Sequence, residues 1–399
     1  MKIYNKEKWE KVKLGEIFEL QMGKTPSRNK ENYWRHGENS WISISDMKNE
    51  EKYICDTKEK ITDLAVEESK IKVIPKDTVI MSFKLSIGKL AITSKDMFTN
   101  EAIMAFFPKD KVEIDNNYLF YSLKKVNWTE GTNKAVKGLT LNKPLIASKE
   151  ILLPNMQIQK EIAKRLDIVM EILKAKRKIL LQLDELSKSI FIEMFGDPIL
   201  NEKNWKEDIC KNITLKIGSG STPKGGEKNY KIEGIAFIRS MNVYNNKFNY
   251  KDLVFIDEIQ SKILQNVEVK KEDILLNITG ASVARCCIVP ENILPARVNQ
   301  HVSIIRCKEN IIDSIFLCYQ FTTKEYQDFL WKLSTSNGAT REALTKQQEE
   351  NLKVIVPPIE LQNQFAERIK IIEKSKIEIQ KSTEETQKLF DSLMEKYFG

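Results

Sequence analysis

Residues Pro154–Gly196, PNMQIQKEIAKRLDIVMEILKAKRKILLQLDELSKSIFIEMFG, align without a gap on Pro357–Gly399, PPIELQNQFAERIKIIEKSKIEIQKSTEETQKLFDSLMEKYFG, 203 positions further along the chain. Pro154/Pro357, Gln159/Gln362, Ala163/Ala366, Arg165/Arg368, Leu186/Leu389, Phe195/Phe398 and Gly196/Gly399 are identical. A repeat of about half the chain is too long for a solenoid and too few in number for a propeller. It implies two similar globular units, each followed by a similar long helix.

Both copies carry an apolar seam at 4-3-4-3 spacing. In the first it includes Leu166, Val169, Leu173, Leu180, Leu183 and Ile190; in the second, Ile369, Ile372, Ile379, Phe390 and Leu393. Such a seam over about five heptads is the signature of a coiled coil. The prolines stand ahead of the first turn, where a helix tolerates them. Each helix should run roughly 35 residues, about 50 Å at 1.5 Å per residue. Two matched seams in one chain favour an intramolecular pair over packing of each helix on its own unit. Antiparallel pairing lets equivalent halves close with approximate two-fold symmetry. Facing positions then sum to 559, which sets Leu180 against Ile379, Leu166 against Leu393 and Lys176 against Thr383. A polar residue in such a seam lowers stability and fixes register, the role expected of Lys176. The same symmetry places Met1 near Gly399.

Outward from the helices the repeat loosens. Trp9–Gly15 opens the first half and Trp205–Ile209 the second. Gly23-Lys24-Thr25-Pro26 is matched by Gly220-Ser221-Thr222-Pro223, Trp41–Met47 by Ile235–Met241, Asp77–Ser82 by Asp273–Ile278, and Asn100–Ile103 by Asn299–Val302. Short apolar runs bounded by Gly, Pro, Asn and Asp read as strands joined by loops. Leu119–Lys125 and Ile315–Thr323 read as helices. Each globular part is a mixed, sheet-rich domain of roughly 150 residues.

The 399 residues leave room for two or three domains with real cores. With 64 basic and 56 acidic residues the net charge is +8, which favours a polyanion; compositional drift in a Lys- and Ile-rich chain gives the same balance. The six cysteines form no C-x-x-C pair, and adjacent Cys286 and Cys287 read as core. Without a signal peptide or an apolar run near 18 residues, the expected setting is the reducing cytoplasm. Two histidines are too few for a His-based metal site, and no metal is expected.

Several catalytic signatures are missing together. The glycines of 218–226 lack the Gly-Lys-Ser/Thr ending of a phosphate loop, and no G-x-G-x-x-G follows a strand. No Asn/Asp-Pro-Pro-aromatic tetrapeptide, carboxylate cluster or H-E-x-x-H is present. Recognition chemistry remains. Amides and hydroxyls beside a cation suit phosphate contacts, and forked groups read bases: Arg on guanine, Asn or Gln on adenine. The candidates are Lys24, Thr25, Arg28, Lys84, Lys89, Asn100 and Lys137 in the first half. In the second they are Ser221, Thr222, Lys224, Arg239, Arg285, Arg297, Asn299, Gln300 and Arg341. Singly, each has a plainer reading: a turn, a solvated charge, or an Asn that staples strands. Their recurrence at matching places makes them a group.

The order of these parts resembles the specificity subunits of type I restriction-modification systems. The matching features are Trp9 and Trp205, the Gly-x-Thr-Pro loops, the Asn-Glu/Gln step, the lead-in Pro357-Pro358 with Gln362, and the Phe-Gly helix ends. The resemblance covers essentially the whole chain. Asn155 departs from it where the second copy has Pro358, and Ala102 stands where the second has His301. It implies an α+β fold: two sheet-containing target-recognition domains, residues 1–153 and 197–356, separated by two long helices, 154–196 and 357–399. The helices form the intramolecular antiparallel coiled coil, pseudo-two-fold symmetric. It implies a non-catalytic subunit reading an asymmetric bipartite double-stranded DNA target, one half-site per domain. Two modification (methyltransferase) subunits would carry S-adenosylmethionine and methylate adenine. Two restriction subunits would bring ATP and Mg chemistry; this chain itself would bind no cofactor. Because the helices align without gaps and the globular parts only in patches, the two half-sites should differ and the coiled coil should act as a ruler. Two other classes stay open, an enzyme whose motif is unrecognised and a coiled-coil scaffold for proteins. Turnover by the isolated chain separates the first, and the salt dependence of binding the second.

Overall fold

The computed structural model describes residues 6, 9–48, 51–130, 141–223, 225–335 and 342–399. Contacts divide the chain into two units that cut across the linear order. The first comprises residues 1–177 and 381–399, the second residues 178–380. Each unit thus holds one globular part, half of the first long helix (Met156–Phe195) and half of the second (Ile359–Phe398).

In the first unit a five-stranded sheet runs in the order Phe18–Met22, Ile103–Pro108, Val79–Ser82, Leu90–Thr93, Tyr53–Ile54. Its first four strands are antiparallel and Tyr53–Ile54 joins parallel to Leu90–Thr93. A three-stranded sheet of Glu59–Ile61, Asn39–Ile42 and Phe98–Thr99 stands beside it. Helix Asn116–Lys125 starts because Asp115 accepts the Tyr118 amide at 2.9 Å, a cap that contributes about 1 kcal/mol. Its apolar face covers the sheet, and Ile162, Leu166 and Val169 with Leu393 and Tyr397 close the same core.

The second unit repeats the plan. Strands Thr214–Ser219, Val302–Cys307, Ile274–Asn277 and Cys286–Ile288 form one sheet; Val254–Ile256, Ile235–Ile238, Ala296–Val298 and Glu268–Val269 form another. Asp313 caps helix Ser314–Thr322 through the Phe316 amide at 2.9 Å. Phe191, Phe195, Phe365, Ile369 and Ile372 complete the core. Cys286 is buried in that core and Cys287 in the core between the two sheets, both as expected.

One expected match shifts. Ser82 faces Ile103 and Asn277 faces Val302, so Ser82 corresponds to Asn277 and Asp77 to Glu272, one residue off the alignment by shared aspartates. The backbone fixes this register: Asp77 and Glu272 both turn through positive φ, 60° and 63°.

The helix halves pair antiparallel inside each unit. In the first, Arg165 donates to the Tyr397 hydroxyl at 3.2 Å, and the Lys176 ammonium donates to Ser382 Oγ and Thr386 Oγ1, each at 2.7 Å. In the second, Lys376 pairs with Asp184 at 2.6 Å and Phe191 meets Phe365. Arg165/Tyr397 and Lys176/Thr386 each sum to 562, within one helical turn of the expected 559. All eleven seam residues are buried or half-buried. The partners of Lys176, Ser382 and Thr386, stand on either side of the expected Thr383. A lysine stem reaches past the facing position, and its three donors are met by Ser382 and Thr386, which stand one turn apart. Lys376 answers it on the other helix. Burial pulls its ammonium down, but the Asp184 and Glu373 carboxylates outweigh that and leave it raised. At the chain end the Lys6 ammonium donates to the Gly399 carbonyl at 2.9 Å; Met1 lies outside the described residues.

Candidate nucleic-acid interface

In each unit four backbone segments meet at one end of the main sheet, wired alike. In the first, Gly23 follows strand Phe18–Met22 and its amide donates to the Ile103 carbonyl, while Lys24 donates to Thr99 at 2.8 Å. A Cβ on Gly23 would fall inside the contact distance of the Thr99 and Asn100 carbonyls. Glycine is required there because two backbones touch. Gly220 obeys the same constraint against Val298 and Asn299, and its amide donates to Asn299 at 3.1 Å. The loop threonines then clasp the residue after each Asn: Thr25 donates to the Glu101 carboxylate and Thr222 to the Gln300 side-chain carbonyl.

The Asn step in turn holds a hairpin. Phe83 donates to Ala102 at 2.9 Å, and Ile278 to His301 at 3.0 Å. The hairpin holds a fourth segment, since Leu141 donates to Phe83 at 3.0 Å and Leu344 to Ile278 at 2.9 Å. At the hairpin's other side Ser82 donates to the carbonyl of Lys89, and Asn277 to that of Arg285. Lys89 and Arg285 therefore occupy one structural slot, as do Lys84 and Thr279.

The candidate residues sort by what engages them. Lys24 and Ser221 are exposed. Lys84, Lys89 and Arg285 are half-buried on the hairpins. Lys84 lies near the Phe83 ring, and the Arg285 guanidinium stacks on Tyr244, its carbon 4.5 Å from the ring centroid. None of the guanidinium nitrogens of Arg285 is spent on a hydrogen bond among the described residues, which leaves the fork open. Arg28 is held instead: Glu59 takes its fork, and Trp34 stacks under it at 3.8 Å. The hydrogen bonds it donates to Glu59 raise its already high pKa. Arg239 donates to the Asp252 carbonyl at 2.6 Å and leans on Tyr230.

Three candidates are corrected. Arg297 lies on a central strand, 6 % exposed, donating to the Ser261 carbonyl at 3.2 Å and to Ala296 at 2.9 Å. Its charge is met by the partly exposed Glu268 at 3.7 Å, so it braces the sheet and does not reach a ligand. Asn100 and Asn299 turn their side-chain oxygens onto the amides of Ala102 and His301, both at 3.0 Å. That is the strand-stapling alternative, and it turns one side-chain oxygen of each onto the backbone. Lys137, Lys224 and Arg341 lie outside the described residues.

Other members of the cluster were not among the candidates. Glu101 is the clasp partner of Thr25, visible only as the repeat partner of Gln300. His301 and Thr279 join through Nδ1 and Oγ1 at 2.6 Å, and Gln300 reaches the other ring nitrogen at 3.1 Å. Among the described residues no group of three or more His, Cys, Asp or Glu side chains could hold a metal ion, and no helix is long and apolar enough to cross a membrane. The arrangement offers cations, hydroxyls, an amide and one open guanidinium on loops that two shared frames hold still.

Comparison with known proteins bears on these loops. The family model described as type I restriction modification DNA specificity domain matches residues 6–185 and again 202–388. The MjaIX specificity subunit, from a type I restriction enzyme of Methanocaldococcus jannaschii, is 25 % identical over 413 residues, spanning 97 % of this chain and 92 % of that one. The MjaVIII specificity subunit of the same organism is 24 % identical over 400 residues, spanning 95 % and 89 %. Among solved structures, the S subunit from M. genitalium superimposes with a TM-score of 0.61 at 16 % identity, covering 100 % of this chain and 98 % of that one.

Proposed function

The chain belongs to the type I restriction-modification DNA specificity family, and from that premise we propose how its two units divide the reading of DNA. It is the DNA-recognition subunit of such a system, without catalysis of its own, and it assembles with modification and restriction subunits. Each unit reads one half of a bipartite target through its four-segment cluster. The observation that carries this is the slot shared by Lys89 and Arg285: one frame presents a point charge in one unit and a guanidinium fork in the other. Arg and Lys are not interchangeable where bidentate recognition matters, so the half-sites differ and the whole target is asymmetric.

The finer composition of the complex belongs to the same proposal: two modification subunits carrying S-adenosylmethionine, two restriction subunits carrying ATP and Mg, and action in the cytoplasm. Both long helices keep exposed apolar side chains off the seam, including Ile168, Ile179, Leu181, Ile371 and Leu389. Such surface supports docking of protein partners. In the ruler reading, deleting one heptad from each helix removes about 10 Å, equivalent to about three base pairs. It should shorten the unread spacer and leave both half-sites unchanged.

Methylome sequencing of cells expressing the chain with its modification subunit tests the reading. Two different half-sites at fixed spacing are expected. A palindromic target, or no new methylation while both proteins are present, would refute it.

A further inference from the structure

Lys52 in the first unit shows what the second unit lacks. Lys52 is 8 % exposed and its ammonium reaches the Asp167 carboxylate on the first long helix. Tyr121 donates to the same carboxylate at 2.6 Å, and its ring lies 4.8 Å from the Lys52 nitrogen. Burial pulls the ammonium below its ordinary range, with Asp167 opposing. The segment delivering Lys52 is strand Tyr53–Ile54, added to the sheet edge beside Leu90–Thr93.

By the repeat, Asp167 corresponds to Lys370 and Tyr121 to Tyr319, three residues after the matched pair Tyr118 and Phe316 on helices capped alike. In the second unit the neighbouring segment is the hairpin Val243–Tyr244/Lys247–Phe248, whose Lys247 and Phe248 line this place and make no ion pair to the helix among the described residues. A cavity of about 640 Å³ stands open there, lined by Tyr319, Lys370, Phe248, Ile369 and Ile377. Lys247, Lys251 and Lys370 rim it, all exposed and without an ion-pair partner among the described residues. The first unit fills the equivalent place with a chain segment whose cation meets a helix carboxylate. In the second the helix supplies the cation, and the one carboxylate in the lining, Glu373, is already paired with Lys376 at 2.6 Å, so charge complementarity calls for a carboxylate on an incoming segment.

We propose that this cavity is a docking site, present on the second unit alone, for a segment of the modification subunit carrying an Asp or Glu flanked by apolar side chains. The inference rests on the family reading above. The two modification subunits then meet unequal sites, and one binds through an anchor the other lacks.

The test uses the full chain and the purified modification subunit, with affinity and stoichiometry from calorimetry and light scattering. Lys370→Glu and Ile377→Glu, both at exposed positions, should weaken one of the two binding events about tenfold or more, the scale of a lost charge pair in a partly desolvated site. Lys388→Glu, exposed on the same helix outside the cavity, should bind as wild type. A photo-crosslinker at Gln380, on the cavity wall, should capture a modification-subunit peptide containing Asp or Glu next to apolar residues. Wild-type binding by both cavity variants overturns the proposal, as does a captured peptide without a carboxylate. Loss of DNA affinity in the isolated Lys370→Glu chain with subunit docking intact overturns it too, because the cations then face nucleic acid. A wild-type chain that binds no modification subunit at all refutes the parent reading instead.

Discussion

Gln159 and Gln362 are identical in sequence and in every bond they make. Each is buried and accepts the amide of a helix-capping aspartate, Asp115 at 2.8 Å and Asp313 at 2.9 Å. Each also donates to the proline carbonyl five residues back and to a carbonyl in the loop before the cap. Ile146 and Glu349, at equivalent helix positions, share a backbone setting and nothing else: one is apolar, the other a carboxyl, both 1 % exposed or less. The two copies agree where a side chain satisfies three backbone groups. Between the clasps, even core residues have diverged.

The sharpest test of a shared frame is to remove both clasps. Gln159→Leu and Gln362→Leu each strand three buried backbone groups, so each should destabilise its unit by on the order of 3–5 kcal/mol. Amide hydrogen exchange in helices Asn116–Lys125 and Ser314–Thr322 reads the two units separately. Equal loss of protection is expected; a marked inequality would break the equivalence.

Glu349 makes the opposite comparison. Burial pushes its carboxyl up to about 7, only partly countered by the Ser303 hydroxyl. In the unfolded chain the group titrates near 4.3. Between those values the unfolded state holds fewer protons, so stability of the second unit falls as pH rises and levels off above about 7. The total is roughly 3.7 kcal/mol at 1.36 kcal/mol per pH unit, about 2.5 kcal/mol of it between pH 5 and pH 8. Exchange at pH 5 and pH 8 should show that loss in the second unit. Glu349→Gln should abolish it, and the first unit, with Ile146 in that place, should lack this contribution.

The helices and their pairing were legible because a 3.5-residue seam over five heptads has few other uses. The identity of Gln159 and Gln362 was visible too, but not its reason, since the bonded groups Glu113 and Asp115 lie 46 and 44 positions away. Arg297 misled because a cation in a sequence reads as surface; only the pairing of its strand with Glu268–Val269 on one side and Ile235–Ile238 on the other shows it enclosed. The one-residue slip at Asp77 arose from trusting a shared residue type over a positive-φ turn that sequence alone does not mark. The Gly-Thr-Pro loops were found, but their glycines serve a backbone crossing and their threonines clasp a neighbour, so the motif positions the readers without being one.

Between the reading loops, Arg285→Lys keeps the charge and removes the fork. It should cost about 1–3 kcal/mol of discrimination at one base of the second half-site, measured as relative methylation of single-base variants. Lys89→Arg, the reverse change in the matching slot, should alter preference in the first half-site only. If either swap changed both half-sites, the units would not read independently.

The smallest expected effect separates position from readout. Lys24 and Ser221 occupy the same place in the two Gly-x-Thr-Pro loops, both exposed, one charged and one neutral. A lysine on a phosphate displaces a counterion whatever the sequence, so Lys24→Ala should weaken binding evenly across targets and lower the salt slope by about one. Ser221→Ala removes at most a neutral hydrogen bond, about 1 kcal/mol, and should leave the slope where it was. Titrations at several salt concentrations distinguish the two outcomes. An unchanged slope for Lys24→Ala with lost discrimination would move Lys24 from the backbone to a base edge, and the first unit would then read with a loop that the second uses only to hold on.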